Sequence, residues 1–132
     1  MKQAHKIIVK KPGGNLKIID FNCKFRNECG MFIGEDITKQ YVSLSRDLIM
    51  IIDEDGLSKQ LPLNFFLEFN NPYYPIQAIV GTVVFVKIKY VNPYEKEIWD
   101  YEVDDISIDD IALISKLLDA EHQEYLAIEF MS

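Results

Sequence analysis

The alternation of apolar and polar positions sets the elements expected along the chain. Residues 6–10, Lys-Ile-Ile-Val-Lys, read as a strand. Lys11-Pro12-Gly13-Gly14-Asn15 reads as a turn, because proline fixes one φ and glycine accepts positive φ. Residues 16–19 form the returning strand of an N-terminal hairpin. Residues 22–29 fit a short helix, capped by Asn22 and ended by Gly30. Two further strands, 38–44 and 48–52, flank the polar joint Ser45-Arg46-Asp47. The second lacks alternation, which predicts a central strand buried on both faces.

Asp53-Glu54-Asp55-Gly56 closes that strand as a turn. Leu61-Pro62-Leu63-Asn64 leads into residues 65–69, expected to be a short helix capped by Asn64 and ended by Asn70-Asn71-Pro72. Residues 76–90 carry the strongest strand signal, with Val84, Val86, Ile88 and Tyr90 on one face and Val83, Phe85, Lys87 and Lys89 on the other. Asn92-Pro93 turns the chain into a strand over 98–103, with Trp99, Tyr101 and Val103 inward and Asp100 and Glu102 outward. Ser107-Ile108-Asp109-Asp110 fits a capping box with Asp as its acidic member. The helix it starts runs to about residue 120, with Ile108, Ile111, Ala112 and Leu118 available to one face. Residues 121–130 are helical as well. Strands first and helix last predict an α+β fold: a mixed or mainly antiparallel sheet with short helices and a C-terminal helix. With no repeat or linker-like segment, residues 1–132 form a single domain, long enough to need neither metal nor disulfide for stability.

Charge changes this picture most. The net charge of −7 conceals a polarity: residues 1–94 hold 12 basic and 9 acidic side chains, and residues 95–132 hold 2 and 12. Such asymmetry points to a charged partner or to contact between the two ends of the molecule. No apolar run approaches the roughly 20 residues of a membrane span, and the N-terminus lacks the apolar core of a signal peptide. The expected setting is therefore the cytoplasm, with Cys23 and Cys29 as reduced thiols and no membrane contact.

The start Ile7-Ile8-Val9-Lys10-Lys11-Pro12-Gly13, the turn Asp53-Glu54-Asp55-Gly56, Leu61-Pro62-Leu63-Asn64, and Pro75-Ile76-Gln77-Ala78-Ile79-Val80-Gly81-Thr82-Val83-Val84 together resemble an uncharacterised family, the domain of unknown function 3846, over residues 6–90. Its members occur in bacteria, phages and mobile elements. Phe65 departs from the pattern, because many relatives carry Arg directly after the Asn. The resemblance implies an accessory gene of a phage or mobile element and no established activity. By analogy of setting, it implies a protein that binds and inhibits a host factor, such as a defence system.

Candidate chemistry is sparse. Lys10-Lys11-Pro12-Gly13-Gly14 has neither phosphate-loop nor dinucleotide spacing, and Asp53-Glu54-Asp55-Gly56 lacks the acidic positions of a calcium loop. No nucleophile stands beside a base, so no catalytic residues, metal or cofactor are assigned and the expectation is not an enzyme. The principal expectation is a host-protein interface on the acidic C-terminal region, comprising Tyr94, Trp99, Asp100, Tyr101, Glu102, Asp104, Asp109 and Asp110. The alternative is a nucleotide-like ligand held near Asn64, Tyr73 and Tyr74. The acidic charge disfavours direct nucleic-acid binding, and the edge of the N-terminal hairpin allows a homodimer.

Overall fold

The computed structural model describes residues 3–34, 37–89 and 100–132, so the Asn92-Pro93 turn and residues 98–99 of the expected strand lie outside the described residues. The fold is α+β, as expected, and every strand pairing among the described residues is antiparallel. The strands are β1 (Gln3–Lys10), β2 (Lys17–Cys23), β3 (Lys39–Ser43), β4 (Leu48–Asp53), β5 (Leu63–Glu68), β6 (Ile76–Val80), β7 (Val83–Lys89) and β8 (Glu102–Asp104). The helices are α1 (Ile108–Leu117) and α2 (Ala120–Phe130), with a 3₁₀ segment at Arg26–Phe32. The main sheet runs β2-β1-β7-β4-β3 with β8 also on β7, and β5-β6 form a separate two-stranded sheet.

The unalternating run Leu48-Ile49-Met50-Ile51-Ile52 is an inner strand with both faces buried. Leu48, Met50 and Ile52 join Ile8, Val83 and Phe85 beneath the β5-β6 hairpin and α1, where Phe65, Leu67, Ile79, Ile106 and Ile114 complete one core. Ile49 and Ile51 join Ile7, Val9, Val84, Val86, Ile88 and Val103 in a second core, where Cys23 and Cys29 lie. Strand geometry places alternate residues on opposite faces, so one apolar strand feeds both cores. The N-terminal hairpin forms as read, closed by the Gly14 N–H donating to Lys11 O at 2.9 Å, with Gly13 at φ 75°.

Four local expectations are corrected. The segment after Asn64 is strand β5, not a helix: Phe65 and Leu67 are buried while Asn64 and Phe66 are half-buried and Glu68 is exposed, the period of a sheet rather than of a helix. Residues 76–89 are two strands in two sheets, because Gly81 at φ 76° turns the chain between β6 and β7. Asn22 belongs to β2, and the following turn starts only at Arg26. The capping box at Ser107 forms as read, with Asp110 N donating to Ser107 Oγ at 3.1 Å and Ser107 N to Asp110 Oδ2 at 2.8 Å. Within α1, however, Ile114 is the buried apolar residue, and Ile108 is exposed.

Candidate functional site

The acidic C-terminal region is organised around β8 and the start of α1. β8 pairs with β7 through Lys87↔Asp104, Ile88↔Val103 and Lys89↔Glu102. Its other side is tied to the chain entering the 3₁₀ segment, where Val103 N donates to Lys24 O and Arg26 N to Tyr101 O, both at 2.9 Å. Val103 is buried in the second core, as the alternation predicts, but Tyr101, placed inward by the same alternation, is exposed, because the strand begins only at Glu102.

Asp100 does not join the acidic outer face. Its side chain is 7% exposed and pairs with Arg26, Nη2 lying 2.8 Å from Oδ1, while Oδ2 accepts from Asn27 N at 2.7 Å. The Arg26 guanidinium lies over the Tyr41 ring, 3.7 Å from its centroid, with the Tyr101 ring 5.1 Å away. A guanidinium held between aromatic rings requires a counter-ion, and Asp100 supplies it. Burial raises the pKa of the Tyr41 hydroxyl, the Asp100 carboxylate raises it further, and Arg26 opposes both.

Asp110 is likewise internal. It closes the α1 capping box and lies 3.1 Å from Lys87 Nζ, which also lies 3.6 Å from Asp47. Burial pushes its carboxyl upward, but the hydrogen bonds from Ser107 and Lys87 outweigh burial and hold it below the ordinary carboxylate value. Lys87 is held above its ordinary value, chiefly by the hydrogen bond to Asp110.

Of the eight interface candidates, Tyr94 and Trp99 therefore lie outside the described residues, and Asp100 and Asp110 are engaged in buried ion pairs. Tyr101 and Asp109 are exposed, with Glu102 and Asp104 half-buried. The sequence pattern gave helix 121–130 without its outer face. That face exposes Glu121, Glu124, Tyr125, Ile128, Glu129 and Met131, and Leu126 is the fully buried residue of α2. The i, i+4, i+7 spacing of Glu121, Tyr125 and Ile128 was the available signal.

The structure separates the three alternative ligand residues. Asn64 sits at the β1–β5–β6 corner, donating from Nδ2 to Lys10 O (2.9 Å) and Gly81 O (2.8 Å) and accepting at Oδ1 from Lys10 Nζ (2.6 Å). It lines a cleft of about 360 Å³ with Lys10, Phe66, Leu118 and Gln123. Burial lowers the pKa of the Lys10 amine there. Tyr73 and Tyr74 stand exposed at the opposite end of the β5-β6 hairpin, their N–H groups donating to Asn71 Oδ1. At roughly 3.3 Å per residue, the length of β5 separates them from Asn64 by some 15 Å.

The two thiols lie 4.0 Å apart in the second core, and burial, then the neighbouring Cys23, pushes Cys29 far above its ordinary pKa. A thiol so held is a core side chain and a poor nucleophile. Among the described residues, His5, Asp104 and Asp105 bring three metal-type donor atoms within 4.8 Å of one another. No helix among the described residues is long and apolar enough to cross a membrane. No protein-family model, curated protein or solved structure matches the chain.

Proposed function

We propose that this chain is a binding protein rather than an enzyme, and that its acidic C-terminal third takes a basic surface on a partner protein. The observation that carries this reading is the outer face of α2, where Tyr125, Ile128 and Met131 stand exposed among Glu121, Glu124 and Glu129. Exposed aromatic and methionine side chains beside like-signed charges suit an interface better than a purely solvated surface, which has no need of the apolar members. Carboxylates around an apolar centre attract a cationic partner and orient it on approach. The resemblance to a family of phages and mobile elements adds the setting: an accessory protein that binds and inhibits a host macromolecule.

The test is capture from a bacterial lysate at low and moderate salt, read by quantitative mass spectrometry. One protein enriched at low salt and lost as salt rises is the expected result, because screening weakens exposed charge pairs. Capture should fail for Tyr125→Ala with Ile128→Ala, and for Glu121→Lys with Glu124→Lys. Glu102→Lys with Asp109→Lys reports whether the interface extends to β8. Asp100 is unsuitable for such a scan, since its removal strands Arg26 without its counter-ion. Bait alone at low salt overturns the reading and favours a small ligand in the cleft beside Asn64, which a thermal-shift panel of nucleotides then tests.

A further inference from the structure

The edge of β7 is shared. Its first residues pair with β1 (Ile8↔Phe85, Val9↔Val84, Lys10↔Val83) and its last with β8 (Lys87↔Asp104, Ile88↔Val103, Lys89↔Glu102), while β4 occupies the opposite edge. The chain leaving β8 therefore runs onto the first half of β1. There Lys6 N donates to Asp105 Oδ1 at 2.8 Å and Ile106 N to Lys6 O at 3.0 Å. This junction brings His5 from β1 together with Asp104 and Asp105 from the end of β8.

We propose that His5, Asp104 and Asp105 form a binding site for a divalent transition-metal ion of the zinc or manganese class. His5 is 5% exposed, and its Nδ1 has no hydrogen-bond partner among the described residues. That nitrogen lies 3.5 Å from Asp105 Oδ1, without the alignment of a hydrogen bond. A buried nitrogen without a partner is costly, and a cation shared with the two carboxylates satisfies it. Both carboxylates are oriented from the backbone, Asp105 by Lys6 N and Asp104 by Asp105 N at 2.8 Å. One hydrogen bond leaves each carboxylate with lone pairs for a metal. The neighbouring ammonium groups turn elsewhere, Lys6 to Asp20 and Lys87 to Asp110 and Asp47.

The donor set decides the class of ion. One imidazole with two carboxylates suits zinc, manganese or iron(II) better than magnesium or calcium, which take oxygen ligands throughout. Ligand atoms bound at about 2.1 Å lie at most about 4.2 Å apart, so the present spread of 4.8 Å closes by a small rotation of the carboxylates. The Asp105 side chain, 59% exposed, has room for that rotation. Bound there, the ion ties the end of β8 to β1.

Calorimetric titration of the untagged full chain with Zn²⁺ and, separately, Mn²⁺ tests the site, with visible absorption of the Co²⁺ form reporting its ligands. The expected result is one saturable equivalent, weakened at least about tenfold by Asp105→Asn and by His5→Gln and unchanged by His122→Gln. His5→Gln alters a buried position, whereas Asp105→Asn changes an exposed side chain and keeps the test decisive if the former fails to fold. Absence of saturable binding to both ions overturns the proposal. So does binding of equal strength in Asp105→Asn, or binding abolished by His122→Gln.

Discussion

Asn64 uses all of its amide within the fold. Its two N–H donors reach Lys10 O and Gly81 O and its oxygen accepts from Lys10 Nζ, so one side chain joins the end of β1, the β5 strand and the bend between β6 and β7. Replacement by Ala leaves two carbonyls and an ammonium to find other partners in a half-buried corner. Asn64→Ala should lower the unfolding free energy by about 2–3 kcal/mol in urea titration. A loss under about 0.5 kcal/mol, the size of an ordinary surface substitution, would sink this account. The sequence marks Asn64 as a residue of special use, yet its partners stand 54 and 17 positions away and leave no local trace. The same holds for Asp100, whose place in the run 98–103 reads as an outward carboxylate until Arg26 is brought across to it.

At the scale of elements, strand periodicity was legible wherever its cause was local. β1 and β4 lie where alternation or a β-branched run put them, β2 begins there and runs on to Cys23, and the Ser107 box starts α1 because its hydrogen bonds span only three residues. The β5 segment misled because Asn-Phe-Phe-Leu-Glu contains both an alternating and a helix-compatible pattern, and pairing with β6 decides between them. The fold also depends on the bend at Gly81. Its N–H donates to Pro62 O at 2.8 Å, and a β-carbon there would lie 2.8 Å from Leu61 Cδ1. A β-branched residue meets both the left-handed backbone and that contact. Gly81→Val should therefore destabilise by about 2–4 kcal/mol, and Gly81→Ala by about 1–2 kcal/mol because Leu61 can shift. If both substitutions leave the urea midpoint unchanged, the bend does not require glycine.

At the scale of the molecule, charge is sorted into internal pairs and an outer acidic surface, and the internal pairs set the pH response. Asp53 is held below its ordinary pKa, first by the hydrogen bond from Lys59 at 2.7 Å, and Asp110 is held low by Ser107 and Lys87 against its burial. A depressed folded-state pKa stabilises fully above the unfolded value, about pH 4 for Asp, and that contribution is lost as pH falls through the lower folded value. Lys87, raised chiefly by Asp110, works in the opposite direction: its contribution is present below about pH 10 and lost as pH rises through the raised value. Urea midpoints should therefore fall on acidification below about pH 4, and Asp110→Asn should flatten that slope. An identical slope in wild type and Asp110→Asn would remove the ion pair from the explanation.

The amino-acid sequence by itself determined the α+β class, the order of most strands, the doubly buried inner strand, the α1 cap and the division of charge between the two ends of the chain. Each follows from periodicity, from short-range hydrogen bonding or from composition, which act over a few residues or over none. Only the tertiary structure decided that Gly81 sends one apolar run into two sheets, that Asp100 and Asp110 turn inward, and that Asn64 and Tyr73 stand apart. It also brought His5 to Asp104 and Asp105. These are pairings across 17 to 100 positions, and which groups meet there is set by sheet order and by the demand of buried charges and polar atoms for partners.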